Sequence, residues 1–528
     1  MSQGQRRSPV FILNEDSERT KGRDAQSTNI NAGKAVAESV RTTLGPQGMD
    51  KMLVDSTGEV VITNDGVTIL QEMDIDHPAA QLIVEVAESQ EETTGDGTTT
   101  ASVLAGQLLA KSEELVDQDI HPRTIVDGYT EAARIAQAEI DDIALDDDLD
   151  DETLAKVASS SMTGKGTGDF DAAELADLVV DAARRVRSGG KVHRDDIHIT
   201  AEMGASSRAT DIVNGAVTDE KPAREGMPRS VEDVTVLLLN SELEKRETTV
   251  DVEYDVGGSD QIDQALEAER EEFRSYAEKL DEAGVDVLIS TEDVADPILD
   301  YLEDYGILTI DNVDSYSEHV GKQVAKATGA TPVGSVEDID PDHLGHAESV
   351  HVETYGDESY TLVDGGDDSG IVTVFVRGGT AHVTDELERA IGDAVDVVST
   401  ALDEGGVVPG AGVTEIKIAS RLRDEAAGVS GRKQLAVEAF ADAVEVLPRT
   451  LAENTGMDQI DALVDMRAAN EDDGCAGIIA RGETGELDDP LEHGILDPTQ
   501  VKRKAVENAA ESASTILRID DIISADQS

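Results

Sequence analysis

Tryptophan is absent from this 528-residue chain, and phenylalanine and tyrosine together supply only 2% of it. Hydrophobic residues still make up 39%, so its cores must be built from aliphatic side chains and alanine. Cysteine is nearly missing too: Cys475 stands alone, which excludes an intrachain disulfide and suits a reducing compartment. Basic charge is scarce, with 43 Lys and Arg against 113 Asp and Glu, a formal net charge of −70. Nucleic-acid binding needs a basic face, and this composition argues against one. No apolar run approaches the roughly 20 residues that span a bilayer. Met1 to Pro9 carries two arginines without the apolar segment of a secretory signal. These absences lead to the expectation of a soluble cytoplasmic protein with no nucleic-acid or membrane partner.

The acidic excess runs the whole length of the chain rather than gathering in a tail. In dilute salt it repels itself; at molar salt the Debye length falls to about 3 Å and the repulsion is screened. That pattern predicts adaptation to a salt-rich interior. The periodic apolar stretches argue against disorder, and the length allows about three or four domains of roughly 150 residues.

Gly95-Asp96-Gly97-Thr98-Thr99-Thr100 is the stretch around which the chemistry is organised. It reads as a loop running into a helix whose stripe is Val103, Leu104, Leu108, Leu109, Leu115 and Val116. Glycines allow close backbone approach, threonines can cap the helix, and its first N–H groups with the dipole behind them suit phosphate. Asp96 repels phosphate unless a divalent cation lies between them, as Mg²⁺ does in nucleotide sites. Taken alone, the six residues are better explained by a capped turn.

In chain order, a helix is expected over 29–44, stopping at Gly45-Pro46, followed by a strand at Val60–Thr63. Asn64-Asp65-Gly66 then reads by itself as a hairpin turn before Val67–Leu70. Helices over 79–92, 101–117 and 123–140 close an α-rich first region. Helices at 151–160 and 171–187 flank Met162-Thr163-Gly164-Lys165-Gly166-Thr167-Gly168, whose lysine reads as solvated; the Walker spacing fails there. Residues 221–373 read as an inserted α/β module with strands at Val234–Leu239, Val285–Ile289 and Gly306–Ile310. Within it, 258–283 is a charged helix with a thin stripe (Ile262, Leu266, Phe273, Tyr276), too polar for a core and expected to project. A helix is expected from Asp385, with Glu388 completing a capping box and Asp393 at the rim of its apolar stripe. Gly405 to Gly412 is a second glycine-rich entry to a helix, opening near Glu415, and lacks the third glycine of a dinucleotide fingerprint. Helices at 432–447, 458–470 and 498–516 make the last region α-rich.

Together these pieces resemble the group II chaperonins, meaning archaeal thermosome subunits and those of the eukaryotic cytosolic chaperonin. The resemblance rests on Thr42–Lys51, Asn64–Leu70, Gly95–Thr100, Met162–Lys165, Val376–Thr380, Glu388–Ala394, Val408–Gly412, Leu447–Asn454 and Leu517–Asp521. It runs in order from about residue 8 to 524. It implies a multidomain α+β fold. An α-helical equatorial ATP-binding domain would comprise 1–150 and 405–528. A small α/β intermediate hinge domain would comprise 151–220 and 374–404. Residues 221–373 would be an α/β apical substrate-binding domain, with a lid protrusion at about 258–283. Family members stack two rings of roughly eight sister subunits and enclose unfolded or partly folded proteins.

The resemblance also implies roles. Asp96 is similar to the Mg²⁺ ligand, and Gly97, Thr98, Thr99 and Thr100 to the phosphate cradle. Leu44, Gly45 and Pro46 resemble the loop under the nucleotide. Asp65 and Asp393 resemble the pair that orients and deprotonates the attacking water, Asp393 arriving from the hinge as it closes. Lys165 is similar to the γ-phosphate sensor, Gly410 and Gly412 to the glycines beside sugar and base, and Asp497 to the acid at the ribose. ATP and Mg²⁺ are the implied cofactors, with K⁺ a further candidate ion. Three departures stand out: Ala411 replaces the middle of three glycines, Ile479 stands where a polar residue is frequent near the base, and the protrusion is unusually charged. They keep open an alternative, a scaffold-type subunit with weak ATPase in a hetero-oligomeric ring. A soluble metabolic kinase is a third reading, but no acceptor-substrate motif accompanies the phosphate loop.

Overall fold

The computed structural model describes residues 18–524 except 55–57, 59, 146–148, 167–169, 205, 245–258, 314–319, 356–357, 367–368, 472–473 and 483. The chain forms two compact units, one within residues 1–165 and 400–528, the other within 166–399. Helix and sheet are mixed, as a multidomain α+β fold requires.

The first unit is helical. Helices Arg23–Val40, Pro78–Thr94, Thr98–Asp117, Pro122–Ile143, Val413–Ala426, Lys433–Val444 and Thr499–Leu517 share one aliphatic core. With so few aromatics, contact depends on small residues at the crossings. A Cβ on Gly106 would lie 2.2 Å from the Ala37 Cβ, and one on Gly128 would lie 2.4 Å from the Ala436 Cβ. The one aromatic pair in this core is Tyr129 with Phe440, edge to face at 5.6 Å. The Tyr129 hydroxyl donates to the Leu108 carbonyl at 2.8 Å, which satisfies a polar group that burial would otherwise penalise. Strands Glu18–Lys21 and Asp521–Ser524 pair antiparallel, Glu18 opposite Ser524.

The second unit holds a six-stranded sheet in the spatial order Leu308–Ile310, Val287–Ser290, Ser230–Leu239, Gly345–Tyr355, Glu358–Asp364, Gly215–Thr218. Its first three strands are parallel, as the expected β–α–β alternation demands. A smaller sheet places Val372–Gly378 between Ile197–Met203 and Asp211–Val213.

Several local expectations need correction. Val67–Leu70 is no strand after a hairpin turn; it belongs to the helix Gly66–Glu72, for which Asp65 is the N-cap. The hairpin instead joins Lys51–Val54 to Val60–Thr63. No threonine caps the helix Thr98–Asp117: Gly97, at φ 81°, is its N-cap. The Asp385–Glu388 pair lies inside a helix that already begins at Ala381, with Thr384 N–H donating to the Thr380 carbonyl at 3.0 Å. The segment expected over 432–447 is two helices, Lys433–Val444 and Val446–Asn454.

The charged helix runs Ser259–Glu282, but only its first half is as polar as the average suggested. Phe273, Tyr276, Ala277 and Leu280 are buried in the core of the sheet unit, while Leu266 is 46% exposed. Averaging over the whole segment hid a core half behind a polar half. Ile262 lies outside the residues whose side chains are described.

Candidate functional site

The helix Thr98–Asp117 begins with no side-chain cap, so its first N–H groups and the positive end of its dipole remain for a ligand. Gly97 is required there: its φ is 81°, and a Cβ would lie 2.9 Å from Val501 Cγ1. The helix that Asp65 caps is set against this start. A Cβ on Gly66 would fall 2.4 Å from the Thr99 hydroxyl and 3.2 Å from that of Thr98. Asp65 accepts from Thr68 N–H through Oδ2 at 2.8 Å, and its own N–H donates to the Thr63 hydroxyl at 3.1 Å. The cap fixes the Asp65 carboxylate at the start of a helix that packs, through Gly66, against Thr98 and Thr99.

A second loop closes on the same place. Leu44 follows the short 3₁₀ turn Arg41–Thr43, and its carbonyl accepts from Asn454 Nδ2 at 2.8 Å. Gly45 has φ 86°, and a Cβ there would meet Leu451 at 2.3 Å. The Gly164–Lys165 turn rests on this loop: a Cβ on Gly164 would lie 3.2 Å from the Pro46 carbonyl, and Asn64 Nδ2 donates to the Gly164 carbonyl at 2.8 Å. Lys165 is therefore held near Asp96. The glycine-rich stretch continues into 167–169, outside the described residues.

Asp96 has a perturbed electrostatic environment. Burial pushes its pKa up and Asp497 adds to the rise; Lys165, the Gly97 N–H and Lys502 pull the other way without prevailing. The Gly97 N–H donates to Asp96 Oδ1 at 2.7 Å. A carboxylate kept poorly solvated beside a second acid is relieved by a cation, and that is the chemistry of a metal ligand. Among the described residues, no group of three or more His, Cys, Asp or Glu forms a protein cage for a metal. One carboxylate beside an open helix start instead suits Mg²⁺, which takes one or two protein carboxylates and fills its shell with phosphate oxygens and water. The residues present fit that ion.

On the far side, the strand Val407–Pro409 pairs with Leu496–Pro498, setting Val408 opposite Asp497. Gly410 must lack a side chain here, since a Cβ would come 3.1 Å from Asp497 Oδ2 and 2.8 Å from Ile495. Gly412, at φ 84°, is the uncapped N-cap of the helix Val413–Ala426. Ala411 between them adopts φ 55°, a left-handed conformation that costs a non-glycine residue roughly 1 kcal/mol. Its departure from glycine therefore adds backbone strain as well as bulk. Ile479 is buried in the hairpin Gly477–Asp488. Asp393 belongs to the other unit, half-buried on the helix Ala381–Glu404 beside buried Ala390, Ile391 and Ala394.

Sequence reasoning missed four residues that build this site. Gln90, fully buried, donates from Nε2 to the Asp96 carbonyl at 2.9 Å and the Val501 carbonyl at 3.2 Å, fixing the Asp96 loop to helix Thr499–Leu517. A glutamine on the apolar stripe of Ile83, Val86 and Ala87 was a signal available in the sequence. Asn454 holds the Leu44 loop. Lys502 and Glu415 form a buried ion pair beside Asp497. Lys502 stands in a Lys-Arg-Lys run that reads as solvated surface, so nothing in the pattern marked it.

A family profile described as the TCP-1/cpn60 chaperonin family matches residues 36–527. Thermosome subunit 3 of Haloferax volcanii is 58% identical over 519 residues, covering 98% of both chains. Thermosome subunit alpha of Halobacterium salinarum is 47% identical over 527 residues, 99% of this chain and 93% of that one. Thermosome subunit beta of Methanothermobacter thermautotrophicus is 46% identical over 528 residues, covering 100% of this chain and 96% of its own.

Proposed function

The chain belongs to the TCP-1/cpn60 chaperonin family, and on that premise we propose that it couples Mg²⁺-dependent ATP hydrolysis to the enclosure and folding of proteins in a double ring. It is a group II chaperonin subunit and acts as a molecular chaperone. The single observation that carries the ATPase reading is Asp96, a carboxylate whose pKa is raised by burial, at the uncapped start of Thr98–Asp117 and with Lys165 near it.

In this reading Gly97 to Thr100 hold phosphate oxygens through N–H and hydroxyl groups. Asp96 would hold Mg²⁺, which would supply positive charge against the phosphate groups. Asp65, fixed by its cap, and Asp393, delivered from a hinge domain, orient the attacking water and take its proton. Lys165 senses the terminal phosphate as a point charge. Asp497, Gly410 and Gly412 meet sugar and base. The domain assignment follows the family: ATP site in 1–150 and 405–528, hinge in 151–220 and 374–404, client-binding unit in 221–373 with the lid at about 258–283. The polar composition of the first half of Ser259–Glu282, with Leu266, Glu267 and Ala268 exposed, supports the lid, and its core half supplies the anchor. Ring assembly is supported by the hairpin Lys51–Thr63, where Met52, Val54 and Val60 are exposed at 67%, 62% and 51%; apolar side chains so displayed suit a subunit contact.

The test is steady-state ATPase and refolding in molar KCl. Turnover is expected to need Mg²⁺ and to fall roughly 100-fold in Asp393→Ala, the scale of a lost general base. Wild-type turnover in that variant overturns the mechanism. A second reading, a scaffold subunit with weak ATPase beside sister subunits, is favoured by the left-handed Ala411. Rings and turnover from the chain expressed alone would exclude it.

A further inference from the structure

Helix Thr499–Leu517 places Lys502 in its first turn with its side chain almost fully enclosed, 14% exposed. Nζ reaches Glu415 Oε1 and Asp497 Oδ2, each at 2.9 Å. Burial alone would lower the pKa of Lys502, but the two carboxylates hold it well above its ordinary value, so it stays an ammonium. Of the three groups Asp497 retains the most exposure, 22% against 14% and 6%. Glu415 is 4% exposed, and its Oε2 has no hydrogen-bond partner. A buried orphan oxygen is costly, and Lys502 is what makes the acid tolerable there.

We propose that Lys502 is a positioning residue for ribose recognition, acting through Asp497 and anchored from behind by Glu415. The inference rests on the nucleotide reading of the site. A carboxylate offers about four acceptor positions. With Oδ2 engaged by one ammonium and hemmed in by Gly410, Asp497 is held in one orientation and keeps acceptor capacity for a pair of sugar hydroxyls. Glu415 stops Lys502 from following Asp497 outward, because the ammonium is tied to a helix start, Val413–Ala426, that cannot move with it. The pair also cancels charge: without Lys502, Asp497 and Glu415 would face Asp96 and a triphosphate with nothing between them but distance. Two effects separate on removal of Lys502. Loss of charge weakens every triphosphate alike, whereas loss of orientation weakens only ligands carrying the hydroxyls.

The experiment measures Mg²⁺-dependent binding of ATP, 2′-deoxy-ATP and 3′-deoxy-ATP to the full chain in molar KCl, by calorimetry and without reference to turnover. In the wild type each missing hydroxyl is expected to cost about tenfold in affinity, as for a hydrogen bond to a charged acceptor. In Lys502→Met the ATP:deoxy-ATP ratio should collapse to within about twofold, on top of a uniform weakening. Glu415→Gln preserves volume and covers the case in which Lys502→Met does not fold; there the ratio should fall roughly threefold. Retention of the wild-type ratio in Lys502→Met, or in Glu415→Gln should the first variant not fold, overturns the positioning role while leaving the nucleotide site standing. A wild-type chain that binds none of the three nucleotides removes that site and the proposal with it.

Discussion

Asp96, the proposed metal ligand, illustrates how a residue can work against the fold that holds it. An acid whose folded pKa is raised binds its proton more tightly when folded, so stability falls as pH rises from the ordinary carboxylate range through the raised value. Above both values its charge is a net cost. Asp96→Asn is therefore expected to melt about 1–3 °C higher than the wild type at pH 7.5 without nucleotide, while ATP turnover drops at least roughly 100-fold. Calorimetry and steady-state turnover on one preparation check both halves; a lower melting temperature would mean that the carboxylate serves the fold. At this scale much of the site was legible in advance. The roles expected of Asp96, Gly97 and Gly410 came from the family resemblance, and the structure brings Lys165 and Asp497 within electrostatic range of Asp96. Lys502 and Glu415 were illegible because the pair is made across 87 positions of sequence; Gln90 stood out on its apolar stripe, but its partner Val501, 411 positions away, did not.

At the scale of elements, Glu445 ties three helices together. It sits where Lys433–Val444 gives way to Val446–Asn454, fully buried, and takes Arg423 in a two-pronged contact at 2.6 and 2.7 Å. Arg467 adds a bond at 2.7 Å and Arg449 stands at 3.8 Å. Burial would raise the Glu445 pKa, but the guanidinium groups of Arg423 and Arg467 outweigh it and hold the value below normal. Its contribution is thus complete above the unfolded carboxyl's range and disappears as pH falls through the depressed folded value. Glu445→Gln should lose about 2 kcal/mol at neutral pH, less than a fully buried pair because the arginines remain partly wet. The gap to wild type should close below about pH 4, as chemical denaturation across pH would reveal. Element identity was readable wherever periodicity was long, as in Thr98–Asp117. It failed at Val67–Leu70, where four β-prone residues follow a turn signature. Tertiary packing of Gly66 on Thr98 and Thr99 overrides local preference there.

At the scale of the whole molecule the net charge of −70 decides the conditions of stability. Exposed ion pairs such as Arg134 with Glu131 and Arg274 with Glu278 cannot offset repulsion spread over the entire surface. Lowering KCl from 3 M to 0.1 M lengthens the Debye screening distance to about 10 Å and should depress the melting temperature by roughly 10 °C or more, as measured at fixed pH with Mg²⁺ present. A melting temperature independent of salt would overturn the screening account. Among the described residues no helix is long and apolar enough to cross a membrane. The overall plan, helical ends around an inserted sheet unit, could be read from the order of apolar periods; the register that joins the chain's extremities could not, because neither short strand carries a pattern.

That joint has a consequence for biogenesis. Glu18 pairs with Ser524, so this ladder can zip only once residue 524 has been synthesised. The sheet unit, contiguous from 166 to 399, has emerged whole by then. During synthesis the unit within 166–399 should become protease-resistant first, and the unit that holds Asp96 should wait, half-made, for residues 400–528 to be added.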